Sequence, residues 1–311
     1  MTEKHPAGHG ALLATFVAFG LNVPIMKSVL SELQITPIDI AFFRFSGAML
    51  FFWIASLFMP HERVPLRDKL LIFAASFFGI FFNQFAFSIG LSQTSPIDAS
   101  VINTVSPVIT MLLAAFFLHE PITWVKSLGV AVGLAGALLL VLSNNFEHGA
   151  AAGVATSLKG NLLIIVSTIS FVIYLTAFKN VVTRYRPVTL MKWMFLCATV
   201  CSLPFCWHDV STLDFAGVLP VSWLKIFYVV GVATFLAYFL LPVGQKYLRP
   251  TIVSMYNYLQ PIVASLVAVA VGMDVFGWHK AVATALVFLG VYIVTQSKSR
   301  AQMERRVKNN S

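Results

Sequence analysis

The sequence predicts an all-α integral membrane protein: ten transmembrane helices arranged as two inverted five-helix repeats. Three observations carry that reading. The first is composition. Hydrophobic residues make up 58% of the 311 residues and charged residues 11%, with a mean hydropathy of +0.84. Soluble domains carry about 25% charged residues. The second is a series of apolar stretches, each near the ~20 residues that span a bilayer. The third is an internal repeat at an offset of 154 residues. Gly90 falls on Gly244, Pro96 on Pro250, Ser100 on Ser254, Asn103 on Asn257 and Pro107 on Pro261. Trp124, Lys126 and Gly136 fall on Trp278, Lys280 and Gly290, and Glu120 falls on Asp274. Five helices is an odd number, so the second copy enters the membrane upside down, a common plan among secondary transporters.

The helices are expected, in order, at 10–30, 38–59, 69–91, 98–118, 124–143, 160–180, 188–207, 223–245, 251–272 and 278–297. Most connections between them are short. Residues 10–143 then form the first repeat and 160–297 the second. The segment 144–159 is an extracytoplasmic linker, opening Asn-Asn-Phe-Glu-His-Gly, and 298–311 is a basic cytoplasmic tail. A second long outer linker is expected at 208–222. Only Lys4 precedes the first apolar stretch, and no small-x-small site follows it, so it reads as a spanning helix and not as a cleaved signal.

Basic residues orient the chain. With the N-terminus inside, the cytoplasmic segments hold Lys4, Arg63, Arg67, Lys69, Lys126, Lys179, Arg184, Arg186, Lys246, Arg249 and five residues of the tail. Only Lys159, Lys225 and Lys280 fall outside, and Lys27, Arg44 and Lys192 lie within helices. The +9 net charge is therefore a topology signal and not a nucleic-acid footprint. The three cysteines, Cys197, Cys201 and Cys206, share one apolar stretch and read as small apolar side chains.

The repeated residues share chemistry as well as spacing. At about 100° per residue, Ser100, Asn103, Pro107 and Ala114 fall on one helix face. Pro107 cannot donate to the carbonyl of Asn103, and Pro261 cannot donate to that of Asn257. Each copy so places an amide side chain beside a freed carbonyl at a helix kink. In a bilayer such groups face protein or a wet cavity. The two readings left open are a packing contact with a neighbouring helix and a place on a substrate pathway.

Several stretches resemble a known family. They are Phe19-Gly20-Leu21-Asn22 in the first helix, Ala41-Phe42-Phe43-Arg44-Phe45 in the second, and Gly90-Leu91 through Ser95-Pro96, Ala99 and Pro107. His119-Glu120-Pro121-Ile122-Thr123 follows, between the fourth and fifth helices. Together they resemble the EamA-type permeases of the drug/metabolite transporter superfamily, and Glu120 resembles the family's glutamate motif. The second copy departs from it, with Asp274 at that position. The resemblance implies a multi-pass exporter of small metabolites in the bacterial inner membrane, with both termini cytoplasmic. It also implies a central cavity between the first, third, fourth, sixth, eighth and ninth helices.

The substrate-binding candidates lie on those helices: Asn22, Asn83, Gln84, Ser100, Asn103, Thr104, Tyr174, Tyr238, Asn257 and Tyr258. A small-molecule site needs mostly apolar walls and a few placed polar groups, and 28 Phe supply such walls. Interhelical packing is the alternative for each of these residues. Arg44, inside the second helix, is expected to snorkel outward or to pair with Asp39, Asp98 or Glu32, ahead of binding a substrate carboxylate. Lys27, Lys179 and Lys192 are expected to snorkel, and Trp53, Trp124 and Trp278 to anchor at the interface. No carboxylate falls mid-helix, so no proton relay is legible. The seven His show no ligand spacing, and no cofactor or metal is expected. The leading reading is a secondary transporter whose partners are a small molecule and the lipid bilayer. A channel-like facilitator is its rival, with a membrane-embedded lipid enzyme far behind.

Overall fold

The structure, a computed structural model, describes residues 5–33, 36–93, 102–148, 158–212, 220–270 and 278–297. They form ten long helices: α1 (Pro6–Leu33), α2 (Pro37–Leu57), α3 (Leu66–Gln93), α4 (Ile102–Leu118), α5 (Trp124–His148), α6 (Leu158–Ala177), α7 (Pro187–Thr212), α8 (Pro220–Tyr247), α9 (250–270) and α10 (Trp278–Gln296). A single helical turn, Lys179–Val182, joins α6 to α7. Among the described residues there is no strand. The chain is an all-α membrane protein of two inverted five-helix repeats.

Most ends sit within a few residues of expectation, and three differences have local causes. α5 continues through Asn144-Asn145-Phe146-Glu147-His148. Asn, Glu and His are tolerated in a helix, so this polar run continues it. α7 continues past its expected end to Thr212, carrying Pro204 inside it. α6 ends early at Ala177, and Phe178 instead begins the separate turn. Residues 149–157, Ser100, Asp98, Asp274 and the tail 298–311 lie outside the described residues.

The start of α2 shows why the chain turns where it does. Thr36 Oγ1 accepts from the Asp39 backbone N–H (3.2 Å), while the Thr36 N–H donates to Asp39 Oδ2 (3.0 Å). This is a reciprocal capping box with Pro37 at the first helical position. At the α4–α5 turn, His119 takes a left-handed conformation (φ 52°) and closes α4. Glu120 then bonds Lys126 Nζ at 2.8 Å, and Thr123 Oγ1 accepts from the Lys126 N–H. Lys126 is one of the basic residues expected on the cytoplasmic side, and its side chain is buried beside Glu120. Glu120 thus serves a structural turn.

The repeats interlock by exchanging their first helices. α1 packs on α8 and α9 of the second repeat, and α6 packs on α3 and α4 of the first. The contacts are mirrored residue by residue. A Cβ on Gly90 would meet Ile164 Cδ1 (2.9 Å) and the Gly160 carbonyl, and one on Gly244 would meet Leu12. Gly90 and Gly244 are 154 apart, and Leu12 and Ile164 are 152 apart. Likewise Ser167 Oγ donates to the Asn83 carbonyl (2.9 Å) and Thr15 Oγ1 to the Ala237 carbonyl (3.3 Å). The other repeat partners pack on each other, α2 on α7 and α5 on α10. Small residues at such crossings let backbones approach where lipid offers no hydrophobic drive between helices.

Both copies also carry a π-type widening, at Phe77–Phe81 in α3 and Tyr228–Leu236 in α8. Such bulges interrupt the regular hydrogen-bond ladder and recur at functional sites. α4 and α9 lose regular α-bonding at equivalent places. Val105 N bonds Ile102 O and Val108 N bonds Val105 O in α4, and Tyr256–Tyr258 is a 3-10 turn in α9. These irregularities sit just ahead of Pro107 and Pro261, whose missing N–H removes the restoring bond.

Candidate functional site

The polar residues inside the bundle are placed by those irregular helix segments. Within the α8 widening, Thr234 Oγ1 donates to the Val229 carbonyl (2.7 Å). That fixes the hydroxyl so that it accepts from Arg44 Nε of α2 (2.9 Å). Arg44 Nη1 donates to Gln84 Oε1 of α3 (3.2 Å), and Gln84 Nε2 donates to Tyr238 Oη of α8 (2.9 Å). Four side chains from three helices so form one chain of hydrogen bonds. Phe19 and Phe195 pack against the Tyr238 ring at 5.7 and 5.2 Å.

Gln84 and Tyr238 are 154 residues apart and are therefore repeat partners. Two repeat partners in direct contact must straddle the pseudo-two-fold axis. Their positions agree: Gln84 is nine residues before the end of α3, and Tyr238 nine before the end of the oppositely directed α8. They approach the midplane from opposite faces.

The expectation for Arg44 is corrected by this geometry. Arg44 is buried, so it does not snorkel. Asp39 does not pair with it, because the Asp39 carboxylate is held in the α2 cap. Its hydrogen-bond acceptors are neutral, and Nη2 has none among the described residues.

The other candidates form bridges between elements and not a single cluster. Asn83 Nδ2 donates to the Ser167 carbonyl and hydroxyl of α6, both at 3.0 Å. Asn103 Oδ1 accepts from Thr168 Oγ1 of α6 (3.0 Å). Asn257 Nδ2 reaches Ser106 Oγ of α4 (3.4 Å), and Asn257 Oδ1 accepts from Gln260 Nε2 (3.1 Å). Tyr174 Oη donates to Gln245 Oε1 of α8 (3.2 Å). Asn22 and Thr104 are buried, and the buried Asn22 Oδ1 has no partner among the described residues. Tyr258 turns its ring onto Gly133 of α5.

Thr234, Gln245, Gln260, Ser106 and Thr168 do not stand out in the sequence, yet each partners a candidate amide, phenol or guanidinium. For Gln260 a signal was present, because it lies one turn from Asn257 and falls on Ser106 at the 154 offset.

A second polar cluster ties the repeats together at one membrane face. Arg184 Nη1 bonds Asp68 Oδ2 at 2.6 Å, the Tyr185 hydroxyl bonds the same oxygen, and the Arg186 N–H donates to Glu62. The hydrogen bond to Asp68 raises the Arg184 guanidinium above its ordinary value. Nearby, Lys179 Nζ donates to the Leu248 carbonyl (3.3 Å).

The sequence profile of the EamA-like transporter family matches this chain twice, over residues 6–142 and 158–296. The chain belongs to the EamA-like transporter family. It is similar to an uncharacterized transporter of Archaeoglobus fulgidus, with 26% identity covering 93% of this chain and 98% of the relative. It is also similar to the uncharacterized transporter YetK of Bacillus subtilis, with 18% identity over 96% and 90% of the two chains. Against the uncharacterized inner membrane transporter YhbE of Escherichia coli, identity is 31% over 44% of each. A solved crystal structure superposes with a TM-score of 0.73 at 20% identity, covering 92% of this chain and 98% of that one, which speaks to fold. The two matched stretches of the EamA-like profile coincide with the two halves that pack through Gln84 and Tyr238.

Proposed function

We propose that this EamA-like protein is a secondary transporter that exports small polar or amphipathic metabolites, such as amino acids or drug-like compounds, across the bacterial inner membrane by alternating access. The observation that carries the reading is the hydrogen bond between repeat partners Gln84 and Tyr238, extended by Arg44 and Thr234. A neutral, reversible junction on the pseudo-two-fold axis suits two halves that rock against each other around a central site. Arg44 Nη2 and the Tyr238 hydroxyl are donors within one bonded group, so the chemistry they favour is a substrate with a carboxylate or another acceptor-rich end.

The test begins with a thermal-shift screen of the purified protein against amino acids, nucleosides and cationic drugs. A ligand that binds only the folded state raises its apparent stability. Hits are then followed by uptake and counterflow in proteoliposomes. Counterflow of labelled substrate is expected, and non-saturating flux without counterflow would turn the reading to a channel-like facilitator. Asn103→Ala and Asn257→Ala are each expected to reduce transport several-fold while the protein stays folded, since losing one amide partner costs about 1–3 kcal/mol. Asn180→Ala, at an exposed position, is the control. Wild-type transport in both helix variants would return these amides to packing.

The proposed orientation puts both termini and the 60–68 and 181–187 segments in the cytoplasm. After Cys197, Cys201 and Cys206 are removed, single cysteines replacing Ser157 and Ser211 are expected to react with an impermeant thiol reagent in whole cells. A cysteine replacing Pro65 is expected not to react, and its labelling from outside would invert the topology.

A further inference from the structure

Away from the central site, two lysines and two tryptophans from three helices are interleaved at one end of the bundle. Lys69 of α3 places Nζ 4.4 Å from the ring centroid of Trp193 on α7. Lys192, also on α7, places Nζ 5.2 Å from the Trp53 ring on α2. The two indoles meet edge to face at 5.6 Å. Each ammonium so crosses to a neighbouring helix, and the Trp pair holds both cations on one patch. Trp53 is 37% exposed and the two lysines are half-buried, so the patch opens on the perimeter of the bundle.

Depth places this patch at headgroup level. Trp53 is four residues from the end of α2, Lys69 three from the start of α3, and Lys192 and Trp193 five and six from the start of α7. At 1.5 Å per residue these positions lie roughly 5–9 Å in from the helix ends, where Trp and Lys meet lipid phosphates and esters. A cation over an aromatic face is attracted by it but keeps its charge. Among the described residues neither ammonium has a carboxylate or other hydrogen-bond acceptor, and neither indole N–H has one. The neighbouring Asp68 carboxylate is taken by Arg184 and Tyr185. Two like charges gathered on one apolar platform repel each other unless an anion sits between them.

We propose that Lys69, Lys192, Trp53 and Trp193 form a binding site for the phosphodiester headgroup of an anionic phospholipid. The phosphate oxygens take the two ammonium groups, the indole N–H groups donate to phosphate or ester oxygens, and the acyl chains run along the α2–α7 surface. The site is independent of what the transporter carries. Under the proposed orientation it faces the cytoplasmic leaflet.

The test measures thermal unfolding of the full-length protein in neutral detergent with added phosphatidylglycerol, phosphatidylcholine or sn-glycerol 3-phosphate. A saturable rise in melting temperature is expected with phosphatidylglycerol alone. Most of that rise should be lost in Lys69→Gln/Lys192→Gln and kept in Lys69→Arg/Lys192→Arg. An equal rise with phosphatidylcholine, the same rise with glycerol phosphate, or a full rise in the Gln variant would overturn the proposal. Native mass spectrometry of the wild-type protein extracted from cells needs no variant to fold. Retained phosphatidylglycerol in preference to phosphatidylethanolamine is expected there, and indifferent retention counts against the site.

Discussion

Arg44→Gln is expected to lower the thermal stability of the purified protein clearly and to abolish transport. Arg44 donates to Thr234 of α8 and Gln84 of α3 from its place on α2, so one guanidinium joins both repeats. Hydrogen bonds to a charged group contribute about 1.5–3 kcal/mol each. Losing them leaves the Gln84 oxygen without its donor and frees the Gln84–Tyr238 junction to reorient. Arg44→Lys is not expected to rescue, because an ammonium lacks the planar fork that reaches two acceptors at once. The effect has a second part. Ligands with a carboxylate that stabilise the wild-type protein are expected to lose their shift in Arg44→Gln, whereas neutral ligands keep some of it. Melting curves, surface abundance and ligand shifts would be measured together. A variant that melts and transports like the wild type would remove Arg44 from both roles, and a stable variant that loses only carboxylate ligands would make it a binding residue alone.

Gly290→Ala and Gly136→Ala are expected to damage folding as severely as any single-methyl change in this chain. A Cβ on Gly290 would lie 2.6 Å from the Gly133 nitrogen and 2.7 Å from the Gly129 carbonyl, and one on Gly136 would lie 2.8 Å from the Ala283 carbonyl. These obstacles are backbone atoms, so no side chain can turn aside and α5 and α10 must separate. Overpacking of this kind typically costs about 1–3 kcal/mol. The contacts are reciprocal: Gly290 meets the 129–133 stretch of α5 and its repeat partner Gly136 meets the 283–287 stretch of α10. The two variants should therefore behave alike, and together they should prevent the pair from docking. Gly10→Ala is the control, since a Cβ there meets nothing within 4 Å. In an exposed helix that change is neutral or gains up to about 1 kcal/mol. The readouts are folded yield after size-exclusion chromatography and the melting temperature. Wild-type values for Gly290→Ala would show that the two helices do not pack this closely in the membrane.

What the sequence by itself determined is linear in nature. Spanning length, the positions of Pro and Gly, and the 154-residue offset can be counted along the chain, and they suffice for ten helices in two inverted halves. The Pro107 and Pro261 irregularities were legible for the same reason, because their causes lie within a few residues. Side-chain partnership was decided only by the tertiary structure. Asp39 looked available to Arg44 five residues on, but the helix cap holds its carboxylate, and the guanidinium turned to Thr234, 190 residues away. Lys126 looked like a solvated cytoplasmic charge until the His119 turn folded Glu120 back over it. The offset already paired position 84 with position 238, but a glutamine and a tyrosine do not look like a repeat. A repeat is detected by likeness, whereas contact at a two-fold axis demands complementarity. An amide and a phenol make the hydrogen bond that two identical side chains need not make, so Gln84 and Tyr238 are residues that a search for similarity passes over, whereas the close-packed Gly136 and Gly290 are ones it finds.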